Sequence, residues 1–102
     1  MRLLFCGDVV GQSGRNAVCA TVRRAKGELG IDFVVANGEN AAGGFGITPA
    51  ICEEFFDAGV DVVTTGNHVW DQREVITYFE QEQRLLRPHN YPLGTPGAGA
   101  RL

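Results

Sequence analysis

Three short apolar runs in this chain each break off at a small residue followed by a side chain able to hold a metal. Leu3-Leu4-Phe5-Cys6 leads into Gly7-Asp8, and Phe33-Val34-Val35-Ala36 into Asn37-Gly38-Glu39-Asn40. Val60-Asp61-Val62-Val63-Thr64-Thr65 leads into Gly66-Asn67-His68. Runs rich in Val, Phe and Leu, bounded by Gly and spaced by helix-length segments, read as buried parallel strands. Alternating βα units of this kind favour right-handed crossovers, so the chain is expected to form an α/β fold on a mostly parallel sheet. In such sheets ligands sit beyond the carboxyl ends of the strands. Asp8, Glu39, Asn67 and His68 are therefore expected along one edge of one sheet.

The segments between the runs support this order. A glycine-rich turn, Gly11-Gln12-Ser13-Gly14, precedes a helix expected over about Arg15–Leu29, with Val18, Cys19 and Val22 on one face and Gly30 closing it. The second strand is expected at Asp32–Ala36. The stretch from Asn37 to Gly46 is too long and too rich in glycine for a mere connector, which marks it as a functional loop. Thr48 and Pro49 then form a favoured helix start, Ile51, Phe55 and Phe56 supply an apolar face, and Gly59 ends the helix. A strand at Val60–Thr65 and a helix over about Arg73–Gln83 follow. From Pro88 onward the chain offers no terminal element. Three or four strands running into a Gly-Ala stretch read as the first part of a larger domain, so residues 1–102 are read as one truncated domain.

Composition removes several classes. A chain of 102 residues forms one domain at most, and a fold of that size buries about 60–70% of its unfolded surface. The formal net charge is −3, with no block of like charges, which argues against binding duplex nucleic acid. A small phosphorylated ligand stays open, because a bound metal would reverse the local sign. Cys6, Cys19 and Cys52 are odd in number and lack a Cys-x-x-Cys pair, a usage that fits reduced thiols in a cytoplasmic protein. The chain lacks a signal-peptide pattern at Met1 and any run near the ~18 apolar residues of a membrane span. No membrane partner is expected.

The three strand-end motifs differ in sharpness. Asp8 is either a carboxylate that a ligand approaches across side-chain-free Gly7, or a cap for the next helix. Gly7, Gly11 and Gly14 match neither the dinucleotide fingerprint nor the phosphate loop with its Lys. Glu39, just past a four-residue apolar run and Asn37-Gly38, is a hard oxygen donor suited to Mn, Mg or iron and able to bridge two ions, against a plain solvated loop acid. Gly66-Asn67-His68 is the most specific element. Its Asn oxygen can coordinate while staying neutral, and its His can hold a proton near neutral pH and deliver it to a leaving oxygen. Trp70 is read as packing, and Asp71 as a helix cap near Arg73. Together the motifs outline a metal-dependent phosphoester hydrolase.

The chain resembles the YmdB-like, calcineurin-type metallophosphoesterases. The resemblance is carried by Gly7-Asp8-Val9-Val10-Gly11, the run from Ala36 to Gly44 (Asn37-Gly38-Glu39-Asn40 at its centre), Gly46-Ile47-Thr48 and Gly66-Asn67-His68-Val69-Trp70-Asp71. Leu86-Arg87-Pro88-His89-Asn90-Tyr91-Pro92 also matches, with a bulkier residue than expected at His89. It implies the N-terminal part of an αββα sandwich and a two-metal phosphodiesterase for cyclic nucleotides or other small phosphoesters. Iron or manganese are the leading metals, with magnesium behind them. By matching position, Asp8 would bind one metal, Glu39 bridge both and Asn67 bind the other. Asn40 would sit at the metals or just behind them, and His68 would act as general acid or contact the phosphate. Val10 stands where the wider superfamily has a His. The family completes its centre with later histidines that this chain lacks, so the resemblance implies an inherited but incomplete site. The competing expectation is a non-catalytic module that binds a nucleotide or forms a homo-oligomer.

Overall fold

In the computed structural model, which describes residues 1–102, the chain runs β1 (Leu3–Cys6), α1 (Gly11–Glu28), β2 (Phe33–Asn37), α2 (Pro49–Ala58), β3 (Val62–Thr64), α3 (Val75–Gln81) and β4 (Leu85–Leu86). The strands form one parallel sheet in the order β1-β2-β3-β4. The α/β architecture with βαβ crossovers is as expected. Element limits differ in detail. The first helix begins at Gly11 rather than near Arg15. β2 reaches Asn37, which pairs with Thr64 of β3. The third helix is shorter than expected at both ends.

Local sequence explains the best-defined helix. The Thr48 hydroxyl accepts from the Ile51 amide, Pro49 takes the first helical position, and Gly59 closes α2 in the left-handed region at φ 109°. α1 ends similarly near Gly30, at φ 62°.

Because each crossover steps the same way along the sheet, right-handed connections put α1, α2 and α3 on one face. The core records this. Val34, Ala36, Val63 and Leu85 of the sheet cluster with Val22 of α1, Ile51, Cys52, Phe55 and Phe56 of α2, and Val75 and Phe79 of α3. Trp70 packs against this cluster, its ring 5.5 Å from Phe79 and 6.1 Å from Tyr91. The opposite face carries no helix. Leu3 and Phe5 are each 61% exposed there, and Phe33, Val35, Val62 and Leu86 are half-covered.

All three cysteines are free. Burial pushes the Cys52 thiol up to about 12, with Glu53 and Glu82 adding to the rise. It is an inert core residue. No helix is long and apolar enough to cross a membrane.

Candidate active site at the carboxyl edge of the sheet

Parallel strands deliver every β-to-α connection to the same edge. Asp8 follows β1 by two residues, Glu39 follows β2 by two, and Asn67 and His68 stand just past β3. The first two connections are stitched together. The Val9 amide donates to the Asn37 carbonyl at 3.1 Å and the Gly11 amide to the Asn40 carbonyl at 3.2 Å. Above these bonds the Asn40 side-chain amide donates to the Asp8 carboxylate at 2.8 Å. The Gly7–Asp8 peptide is cis.

The second and third connections meet through glycines. A Cβ built on Gly66 would overlap the Glu39 carboxylate, so Glu39 lies directly against the backbone that leads into Asn67 and His68. Gly46, at φ 77°, packs its α-carbon against the His68 carbonyl, where a Cβ would stand 2.8 Å from that oxygen. Gln72 secures the same junction by donating to the Phe45 carbonyl at 2.8 Å. Asp8 and Asn40 thus share one corner with the Glu39 backbone, while the Glu39 carboxylate rests against Gly66, where Asn67 and His68 begin.

The His68 side chain turns to its own loop. Its Nδ1 lies 2.7 Å from Asp71 Oδ2. An ionised carboxylate only accepts, so Nδ1 carries the proton toward Asp71, and Nε2 is the nitrogen left for other chemistry. The cap that the sequence suggests for Asp71 does not form. α3 starts behind Glu74 with no side-chain cap, and Asp71 orients the imidazole instead. The His68-x-x-Asp71 spacing is the available signal for this.

The donor chemistry suits a hard cation in kind. Asp8 and Glu39 enter no ion pair with Lys or Arg. Asn37, at the end of β2, carries a buried Oδ1 with no donor, and its Cβ lies 3.8 Å from the Cβ position of Gly7. In number the set is short, since nowhere do three His, Cys, Asp or Glu side chains gather as a metal-binding group. The edge is open, and the two surface clefts lie elsewhere, one between α1 and α2 and one at the amino ends of the strands.

A one-way parallel sheet with helices on a single face and oxygen donors along its carboxyl edge is consistent with the N-terminal part of a metallophosphoesterase-type fold. The particular family follows from comparison: the chain belongs to the YmdB-like proteins, whose family model matches residues 4–102. The 2′,3′-cyclic-nucleotide 2′-phosphodiesterase of Bacillus subtilis (strain 168) is 44% identical over 99 residues, covering 97% of this chain and 38% of its own length. A putative phosphatase/phosphodiesterase of Mycoplasma pneumoniae is 33% identical over 88% of this chain, or 32% of its own length. The crystal structure of a hypothetical protein from Thermus thermophilus superposes with a TM-score of 0.89 at 45% identity, over 97% of this chain and 38% of that one. The crystal structure of a novel phosphatase from Mycoplasma pneumoniae does so with a TM-score of 0.83 at 32% identity, over 93% and 35%. The chain therefore spans less than two-fifths of the relatives it matches.

Proposed function

We propose that the chain serves a metal-dependent phosphodiesterase that works in the cytoplasm on small phosphoesters, cyclic nucleotides foremost, through a dinuclear centre. Asp8 and Asn40 would hold one divalent ion and Asn67 the other, with Glu39 between them. These carboxylate and amide oxygens would suit manganese or magnesium, and iron is the further candidate that the family resemblance implies. Bound there, such ions supply charge neutralisation at the phosphoryl oxygens and a water activated at neutral pH. The rest of the chemistry falls to the chain's own side chains. Asp71 holds the His68 ring by Nδ1, so that Nε2 would contact the phosphate or pass a proton to the leaving oxygen. Gly66, without a side chain, leaves the space that the Glu39 carboxylate itself occupies.

The observation that carries this reading is the carboxyl edge: an Asp8 carboxylate bonded to Asn40, and a Glu39 carboxylate seated on Gly66. The test is hydrolysis of bis-p-nitrophenyl phosphate and 2′,3′-cyclic AMP with added Mn²⁺, before and after chelation. His68→Ala should cut turnover by roughly 10²–10⁴-fold, the usual weight of a general acid, while sparing metal content. Unchanged turnover in that variant removes His68 from the reaction. The short donor set favours one other reading, a module that binds nucleotide or self-associates without catalysis. Nucleotide binding with no metal-dependent hydrolysis would select it.

A further inference from the structure

Arg15 lies outside the strand-end motifs, yet its side chain reaches into the same corner. It stands in the second turn of α1, the helix that begins three residues after Asp8. Its Nη1 donates to the Ala41 carbonyl at 2.6 Å. Ala41 is fully buried, and its carbonyl receives no bond from the loop's own amides. From the far side, Glu54 of α2 approaches Arg15 Nε at 3.7 Å, with the Arg15 side chain 16% exposed. That Nε makes no hydrogen bond. The guanidinium is therefore held by its one short bond to the loop, with Glu54 near Nε but not hydrogen-bonded to it.

The loop it holds closes on itself through the Ala41, Ala42, Gly44 and Phe45 amides, which donate to the Gly38, Gly46, Asn40 and Ala42 carbonyls. Gly43, Gly44 and Gly46 all occupy the left-handed region, which glycine enters readily because it has no Cβ. Residues 39–41 are fastened to the β1–α1 segment by the parallel Val10–Asn40 bridge, which includes the bond from the Gly11 amide to the Asn40 carbonyl, by the Asn40 side chain on Asp8, and by Arg15 on the Ala41 carbonyl. The first two belong to the corner itself. The third comes from a rigid helix and fixes where the corner sits.

We propose that Arg15 is a positioning residue that sets the placement of Glu39 and Asn40 against Asp8, and so tunes cation binding at this edge. The proposal rests on the cation reading above. Outer partners that orient a ligating group are generally worth roughly 10–100-fold in metal affinity. Arg15→Met, which keeps the apolar stem, should weaken Mn²⁺ binding by that order, read from the free Mn²⁺ signal in electron paramagnetic resonance. Arg15→Lys, able to make one bond to the Ala41 carbonyl, should recover part of it and serves as the second variant if Arg15→Met does not fold. Glu54→Ala leaves the loop bond in place and should leave affinity unchanged. In the metal-free protein, Arg15→Met should speed hydrogen exchange at the Ala42 and Gly44 amides, which close the loop onto Gly46 and Asn40. A folded Arg15→Met that binds Mn²⁺ like the parent overturns the proposal. So does a parallel loss in Arg15→Met and Glu54→Ala, which would make Arg15 a helix-packing residue. If the parent itself takes up no Mn²⁺, the cation reading fails, and the exchange measurement still decides whether Arg15 holds the corner.

Discussion

Gly66 carries the sharpest steric demand in the site, because the space its missing side chain leaves is filled by the Glu39 carboxylate. Its backbone is not in the left-handed region, so the demand is one of volume alone. Gly66→Ala must therefore push Glu39 away from its place beside Asn67. The expected result is lost metal-dependent hydrolysis with a melting temperature lowered by only a few degrees, about 1 kcal/mol in a chain of this size. Calorimetry and a phosphodiesterase assay on the same sample check both halves. Full activity in a folded Gly66→Ala protein would show that Glu39 is not needed where it lies. Gly66-Asn67-His68 was legible in the sequence as a motif, but the reason for its glycine was not, since Glu39 is far away along the chain.

Among the elements, the turn from α3 into β4 shows how a local ion pair secures a short strand. Glu82 accepts from the Arg84 amide at 3.0 Å, from its Nε at 2.9 Å and from its Nη2 at 2.7 Å. The Arg84 guanidinium also lies 3.9 Å above the Phe56 ring, tying the turn to α2. The hydrogen bonds from the Arg84 side chain hold the Glu82 carboxyl below its usual range, against a smaller opposing effect of burial. A depressed carboxyl adds stability that is fully present above the unfolded value and is lost as pH falls through the folded one. Between about pH 5 and pH 3 the native protein should lose more stability than Glu82→Gln, the two converging at the acid end. Arg84 is half exposed, so the difference should stay within about 1 kcal/mol. Urea titrations of both proteins across that range measure it. Parallel pH profiles would show that the pair is idle. β4 itself, two residues long, has no period that a sequence reading can detect. The start of α1 was hidden for another reason: Gly11 and Gly14 read as a turn, whereas Gly14 packs over Val9 and its amide bonds to the Val10 carbonyl.

The molecule as a whole is a sheet covered on one side. Phe55 is fully buried in the helix-covered core, while Phe5 on the bare face is 61% exposed. Phe55→Ala should cost about 3–5 kcal/mol. Phe5→Ala should cost less than about 1 kcal/mol, since little of its ring leaves water on folding. Equal losses in chemical denaturation would mean that the Phe5 face is covered in solution.

Alternation of apolar runs with helix-length segments, and the Thr48-Pro49 to Gly59 caps, determined the α/β class and the best-defined helix, because strand period and capping act between residues close in sequence. The positions of Asp8, Glu39, Asn67 and His68 past their strands were equally readable, since parallel connection alone sends them to one edge. Only the tertiary structure decided that all three helices share a face, that Asp71 serves His68 rather than a helix, and that Arg15 reaches Ala41 across 26 positions of chain. Each of these depends on which distant segments pack together, and that choice is made by the collective burial of the core rather than by any local preference.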